Sequence, residues 1–230
     1  MSEVIKQGCR ACSEKAGVFD LLSDAEIDRV DCNRTSLLYY PGEVIFKQGA
    51  PCTHMVCVTS GLVKLYLENP VHHHLIIDLV RPTNYIYDPG VFATQHHQFT
   101  AVATEKTQAC LIDLQVMIQT MRQNPRFLLG FVEQVSEQVV DLYNRFSTYT
   151  HKHVFGRVAD MLLYLHPGIY PEHPVNLTLS RQDLAALSGM TKESLIRVMK
   201  KFKEDGIITL TGDRLEILNR EKLESISKSG

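Results

Sequence analysis

No run of apolar residues in this chain approaches the ~20 that a helix needs to cross a bilayer, and the opening MSEVIKQGCRAC lacks the apolar core of a secretion signal. Those absences make a cytoplasmic protein with no membrane partner the expectation. Regular cysteine spacing is also missing: six cysteines are scattered over 230 residues, which argues for reduced thiols rather than a disulfide framework. Nor is there an excess of basic charge, since 24 Lys and Arg face 26 Asp and Glu for a formal net charge of −2. A wholly basic nucleic-acid binder is therefore excluded. The most local gap runs from Pro82 to Glu105, where no Lys or Arg occurs; this stretch supplies no cation for a phosphate.

What is present describes a folded chain. Hydrophobic residues at 44% and charged residues at 22% are the balance of a globular protein, and 230 residues suffice for two domains with their own cores. The charge is uneven. Residues 1–150 carry 12 basic and 16 acidic side chains, whereas 151–230 carry 12 and 10. Between 181 and 203, Arg181, Lys192, Arg197, Lys200, Lys201 and Lys203 face only Asp183 and Glu193, a local positive patch that points to phosphate.

Along the chain, a short helix is expected near 23–30. Residues 37–113 then break into short branched runs punctuated by Pro41-Gly42, Gln48-Gly49, Ser60-Gly61, Asn69-Pro70 and Pro89-Gly90, the pattern of a sandwich or jelly roll. In one such run Val63, Leu65 and Leu67 alternate with Lys64, Tyr66 and Glu68, as in a half-buried strand. From Pro125 the period changes. Leu128, Val132, Val135, Val139, Leu142 and Phe146 are spaced four and three apart, the seam of a coiled coil over about three heptads. A parallel dimer helix is the favoured reading; the alternative is a helix packed on its own β domain.

Another helical pattern covers 154–165, and a Pro-rich connection leads to LTLSRQDLAALSGMTKES. Ser180 with Asp183 three residues on forms a capping box. Ala185, Gly189 and Leu195 supply the close approach, the turn and the seat of a helix-turn-helix. In TKESLIRVMKKFK, Leu195, Val198, Met199 and Phe202 make the buried stripe, and Lys192, Glu193, Ile196, Arg197 and Lys200 the opposite face. IITLTGDRLEIL reads as a two-strand hairpin turning at Gly212-Asp213, the wing of a winged helix.

In this order the segments PGEVIFKQG (41–49), HMVCVTSGLVKLY (54–66), FGRVADMLLYL (155–165) and LSRQDLAALSGMTKESLIRVMKKFKEDGII (179–208) resemble the CRP/FNR (cyclic-AMP receptor protein and fumarate-nitrate reduction regulator) family over nearly the whole chain. The resemblance implies an α+β architecture: a double-stranded β-helix sensor domain over 1–124, a dimerisation helix over 125–150 and a winged helix-turn-helix over 151–230. It implies a homodimeric transcription regulator that binds palindromic DNA with TGA-type half-sites, works with RNA polymerase and catalyses nothing. The family's Glu-x-x-x-Arg pair falls on Glu193 and Arg197. Arg can grip guanine bidentately and Glu can accept from cytosine. Ile196 between them either meets a thymine methyl or completes the domain core. Thr178, Ser180, Arg181, Lys192 and Lys200 are candidate phosphate contacts, and such contacts position without specifying.

The effector is left open. The family's phosphate-binding Arg-Ser pair would fall near His97–Phe99 and is absent, and the adenine-facing positions would be Leu142 and Tyr143. Asp88 stands where the family's ribose-binding Glu sits. Asp88, His97 and Tyr143 thus outline a candidate effector pocket to which cyclic AMP is poorly suited. Cys9 and Cys12 match the region that bears the family's iron–sulfur cluster, but a third cysteine near Val18 is missing. Surface thiols and a thiol redox switch stand beside that reading. His72, His96 and His97 are candidates for haem, while His72, His74 and Asp78 resemble cupin metal ligands and carry an enzymatic alternative. A constitutive DNA-binding dimer without effector is the remaining alternative. No cofactor or metal ligand is assigned, and activation is not separable from repression.

Overall fold

A computed structural model of the chain describes residues 8, 9, 12, 17–69 and 74–230. These fall into two compact units, residues 1–68 with 78–140 and residues 69–77 with 141–230. His72 and His73 lie outside the described residues.

In the first unit, α1 (Asp24–Cys32) opens on Ser23, whose hydroxyl and N–H both reach the Glu26 carboxylate in a capping box. The strands follow: β1 (Arg34–Tyr39), β2 (Val44–Phe46), β3 (His54–Ser60), β4 (Val63–Leu67), β5 (Leu75–Val80) and β6 (Asn84–Ile86). After the single turn α2 (Gly90–Ala93) come β7 (Thr100–Ala103) and β8 (Thr107–Asp113). One sheet runs in the order β1-β8-β3-β6 and the other β2-β7-β4-β5, with described pairings antiparallel. Two antiparallel sheets with crossovers form the expected β-roll.

The alternation read in β4 holds for Val63 and Leu65, which are buried, but not for Leu67, which is exposed. The ladder with β7 covers Val63 to Tyr66, and Leu67 lies one residue past its end. Behind β3 and β8, α3 (Leu114–Gln123) is capped by Asp113, which accepts from the N–H groups of Gln115 and Val116. Phe19, Met55, Tyr85, Ile112, Met117 and Phe127 share the resulting core. Burying an aromatic as large as Phe127 contributes on the order of 2–3 kcal/mol.

Helix α4 (Pro125–His151) contributes residues to both units. Along it Leu128, Leu129, Val132, Val139, Val140, Leu142, Tyr143 and Phe146 are exposed. Val135 of the seam read in the sequence is partly buried and packs against the core of its own unit. Heptad spacing alone cannot tell the two packings apart, because both bury an apolar stripe at the same period.

In the second unit, α5 (Val154–Leu163) continues into an irregular turn at Tyr164–Ile169. The strand β9 (Val175–Asn176) precedes α6 (Arg181–Leu187) and α7 (Lys192–Glu204). A hairpin of β10 (Ile208–Thr211) and β11 (Arg214–Ile217) follows, and α8 (Arg220–Ser229) packs on α5. The small sheet is ordered β10-β11-β9. This is the winged helix the sequence predicts.

Candidate nucleic-acid interface and effector pocket

Helix α7 begins at Thr191, whose hydroxyl accepts the N–H of Ser194. Leu195, Val198, Met199 and Phe202 are buried as the spacing predicts. The opposite face presents Lys192, Glu193, Ile196, Arg197 and Lys200 to solvent. Ile196 is 48% exposed, which overturns its reading as a core residue. Its neighbours on the buried side, Leu195 and Val198, close that core without it. Among the described residues no ion pair joins Glu193 to Arg197, so both head groups are presented rather than tied to each other.

The turn before α7 is held from two sides. Gly189 has a φ of +61°, a conformation that costs an L residue with a side chain about 1–2 kcal/mol. A methyl there would meet the Tyr149 ring at 3.2 Å. The Tyr149 hydroxyl donates to the Leu187 carbonyl at 2.9 Å, and Arg157 donates to the Gly189 carbonyl at 3.2 Å and to the Lys152 carbonyl at 2.9 Å. Tyr149 and Arg157 are positioning residues that sequence reasoning missed. Helical patterning marks them only as polar residues on other helices, with nothing to say which carbonyl they reach.

The candidate phosphate contacts divide. Lys192 and Lys200 are exposed, and Lys200 lies 3.8 Å from Glu204. Ser180 donates to Asp183 and accepts its N–H at 3.1 Å, so its hydroxyl is engaged in capping α6. The Thr178 hydroxyl lies 2.9 Å from that of Tyr170. Arg181 is turned toward the wing, where it donates to the Gly212 carbonyl and lies 3.8 Å from Asp213. The sequence could not show this, because the wing returns to α6 only through the tertiary fold.

In the first unit, the two predicted pocket residues Asp88 and His97 meet. His97 Nδ1 lies 2.8 Å from Asp88 Oδ2 and 3.4 Å from the Sγ of Cys52. Asp88 also accepts the N–H groups of Gly90 at 2.8 Å and Gln98 at 3.2 Å. The carboxylate is thus already held by internal partners. The imidazole stacks on Phe46, with ring centroids 3.8 Å apart and planes 11° apart. Burial, followed by the Asp88 charge, pushes the Cys52 thiol up to about 11. Among the described residues this is the group of three His, Cys, Asp or Glu side chains whose ligand atoms all lie within 4.8 Å of one another.

Asp88 and His97 line a small, partly open pocket with His54, Met55, Tyr87, Phe92 and Phe131. No Lys or Arg lines it. Tyr143 does not line it either and is 67% exposed; the aromatic that α4 offers the pocket is Phe131, earlier on the same helix. The adenine-position count therefore selects a residue that this pocket does not use.

Cys9 is not a surface thiol. It packs against the first unit's core, and its N–H donates to Asp31 at 2.9 Å. Burial pushes its thiol up to about 12, against the pull of Arg34, the opposite of what activates a cysteine for exchange. Cys12 is half-buried. The haem candidate His96 is exposed. His74 accepts the Asn69 N–H at 3.4 Å, and its cupin partner His72 lies outside the described residues.

With this geometry in view, the sequence model of the Crp-like helix-turn-helix domain matches residues 156–226, and that of the cyclic nucleotide-binding domain matches residues 37–124. The fumarate and nitrate reduction regulatory protein of Vibrio cholerae is 24% identical over 95% of this chain and 90% of its own length. The transcriptional activator protein anr of Pseudomonas aeruginosa is 23% identical over 79% of this chain and 76% of its own length. Among solved structures, FixK2 of Bradyrhizobium japonicum superposes with a TM-score of 0.78 at 18% identity, covering 86% of this chain and 98% of that one. The c-di-GMP responsive global regulator CLP of Xanthomonas campestris gives 0.74 at 22% identity, covering 85% and 99%.

Proposed function

The chain belongs to the CRP/FNR family of transcription regulators, and we propose that it works as a cytoplasmic homodimer whose paired α7 helices read a palindromic site with TGA-type half-sites. The observation that carries this reading is the exposed face of α7: Glu193, Ile196 and Arg197 stand in solvent on a helix whose other side is buried. Arg197 grips a guanine, Glu193 accepts from a cytosine, and Ile196 packs on a thymine methyl. Lys192 and Lys200 take phosphates on either side, whereas Arg181 acts chiefly by fixing the wing to α6.

Dimerisation rests on the exposed apolar residues of α4, which a second α4 would cover. In such a dimer the two recognition helices enter successive major grooves, about 34 Å apart. RNA polymerase is the expected partner at the promoter, in keeping with relatives named as transcriptional activators. No helix is long and apolar enough to cross a membrane among the described residues. The pocket has no cation for a cyclic phosphate, and its carboxylate already faces His97 and accepts two backbone N–H groups. Both features support control by something other than cyclic AMP. Catalysis has no part in this mechanism.

The test is fluorescence anisotropy on a labelled palindrome against random DNA of equal length. Arg197→Ala is expected to cost about 1–3 kcal/mol on the palindrome and little on random DNA. Equal losses on both would show a phosphate contact instead of base reading.

A further inference from the structure

We propose that Cys52, Asp88 and His97 form a binding site for a single divalent transition-metal ion of the zinc class, seated at the inner end of the β-roll pocket.

Three donors of different chemistry converge on one point: a thiol sulfur, an imidazole nitrogen and a carboxylate oxygen, with exposures of only 8, 7 and 6%. A mixed sulfur, nitrogen and oxygen set suits a borderline-soft ion and disfavours magnesium or calcium, which take oxygen ligands. In a tetrahedral zinc site, bonds of ~2.0–2.3 Å separate the ligand atoms by roughly 3.3–3.6 Å. Here Nδ1 is 3.4 Å from Sγ and 2.8 Å from Oδ2, and all three ligand atoms lie within 4.8 Å of one another, so the Nδ1–Sγ edge already has the span of a zinc site and the Nδ1–Oδ2 edge opens by about half an ångström to admit an ion.

The surroundings already do what the shell around a metal does. Asp88 Oδ1 is held by the N–H of Gly90, and Oδ2 faces His97 while also accepting the Gln98 N–H at 3.2 Å. Phe46 fixes the plane of the imidazole. The backbone clamps the two loops that carry Cys52 and His97: Cys52 N–H donates to the Gln95 carbonyl at 2.9 Å, His97 N–H to Ala50 at 2.8 Å and Gly49 N–H to His97 at 2.8 Å. Such outer contacts orient ligands before a metal arrives. The pocket side stays open, so a water or a small ligand completes the coordination, the arrangement of zinc sites that keep an exchangeable position. On binding, the Cys52 thiol loses its proton to solvent and bonds through sulfur. In the bound site His97 bonds through Nδ1 with its ring proton on Nε2, and Asp88 bonds through a carboxylate oxygen. One proton leaves per ion bound, and nothing is oxidised or reduced.

The site concerns the sensor unit alone and is tested without DNA. Metal-free, reduced full-length protein is titrated anaerobically with Co²⁺, followed by Zn²⁺ competition against a chromophoric chelator. A thiolate-to-cobalt charge-transfer band saturating at one ion per chain is expected, bleached by one equivalent of Zn²⁺. Cys52→Ser should abolish that band, and His97→Gln or Asp88→Asn should weaken Zn²⁺ affinity at least tenfold. Replacing His72, His73 and His74 by Ala together, or Cys9 and Cys12 by Ser, should change neither. Because a buried substitution can unfold the roll, Cys52 alkylation is also followed by mass spectrometry in the unmutated protein. Zn²⁺ should slow labelling of Cys52 at least tenfold and leave Cys32 unchanged. A band that survives Cys52→Ser, one that vanishes with the His72–His74 variant, or labelling of Cys52 indifferent to Zn²⁺ would overturn the site and leave the triad as a hydrogen-bonded staple of the loop. Because operator binding is measured separately, failure of the site would leave the DNA-reading account standing.

Discussion

At the scale of single residues, the informative contrasts are between side chains of the same type. Ile196 and Leu195 are adjacent and equally apolar, yet one is solvent-facing and the other fully buried; their positions on α7 separate them, not their hydropathy. Glycines divide in the same way. Gly189 and Gly212 both have positive φ, +61° and +59°, but a methyl at Gly212 meets nothing within 4 Å, whereas one at Gly189 presses on Tyr149. Gly212→Ala should therefore cost about 1–2 kcal/mol, the backbone penalty alone. Gly189→Ala should cost more and also weaken operator binding, since the ring it displaces holds the turn that aims α7. Thermal unfolding of the two variants with operator anisotropy checks this; equal costs would show that the Tyr149 contact is slack.

At the scale of elements, α4 shows how far a periodic pattern reaches. The heptad spacing made Leu128, Val132, Val135, Val139, Leu142 and Phe146 a seam, and five of those six are exposed in the chain alone. Val135 is partly buried against its own core, and Leu129, Val140 and Tyr143 join the exposed set. A charge on the exposed side is accordingly the sharper probe of dimerisation than one at Val135, where misfolding would confuse the result. The double variant Val132→Glu, Val139→Glu should sediment as a monomer while keeping its far-ultraviolet circular dichroism, and should bind the palindrome at least tenfold more weakly. A variant that still sediments as a dimer places the interface elsewhere.

For the whole molecule, net charge and local charge oppose each other. The chain carries −2 overall, so nonspecific attraction to DNA is weak, and binding must rely on the patch around α7. Removing one Lys–phosphate pair should lower the slope of log affinity against log salt by about 0.9. In a dimer, Lys200→Ala removes two such pairs, and the slope should fall by about 1.8 with little change in sequence preference. Anisotropy titrations over a range of salt concentrations measure both. An unchanged slope would assign Lys200 to its helix neighbour Glu204 rather than to DNA.

What the sequence determined by itself was whatever repeats locally. The short strands with their turns, the long helix, the capping box at Ser180 and the buried stripe of α7 are all periodicities or caps, set by contacts within a few residues, and they were legible without coordinates. So was the exposed face carrying Glu193 and Arg197, since one face of a helix follows from the burial of the other. The tertiary structure decided what depends on residues distant in the chain. It joined Cys52 to His97 across 45 positions, with Asp88 on the same imidazole nitrogen, set Tyr149 against Gly189, tied Arg181 to the wing, and gave the pocket Phe131 as its aromatic from α4. The physical reason is that buried polar and titratable groups take whatever partner the packed chain brings within about 3 Å, and no pattern along a sequence encodes that meeting.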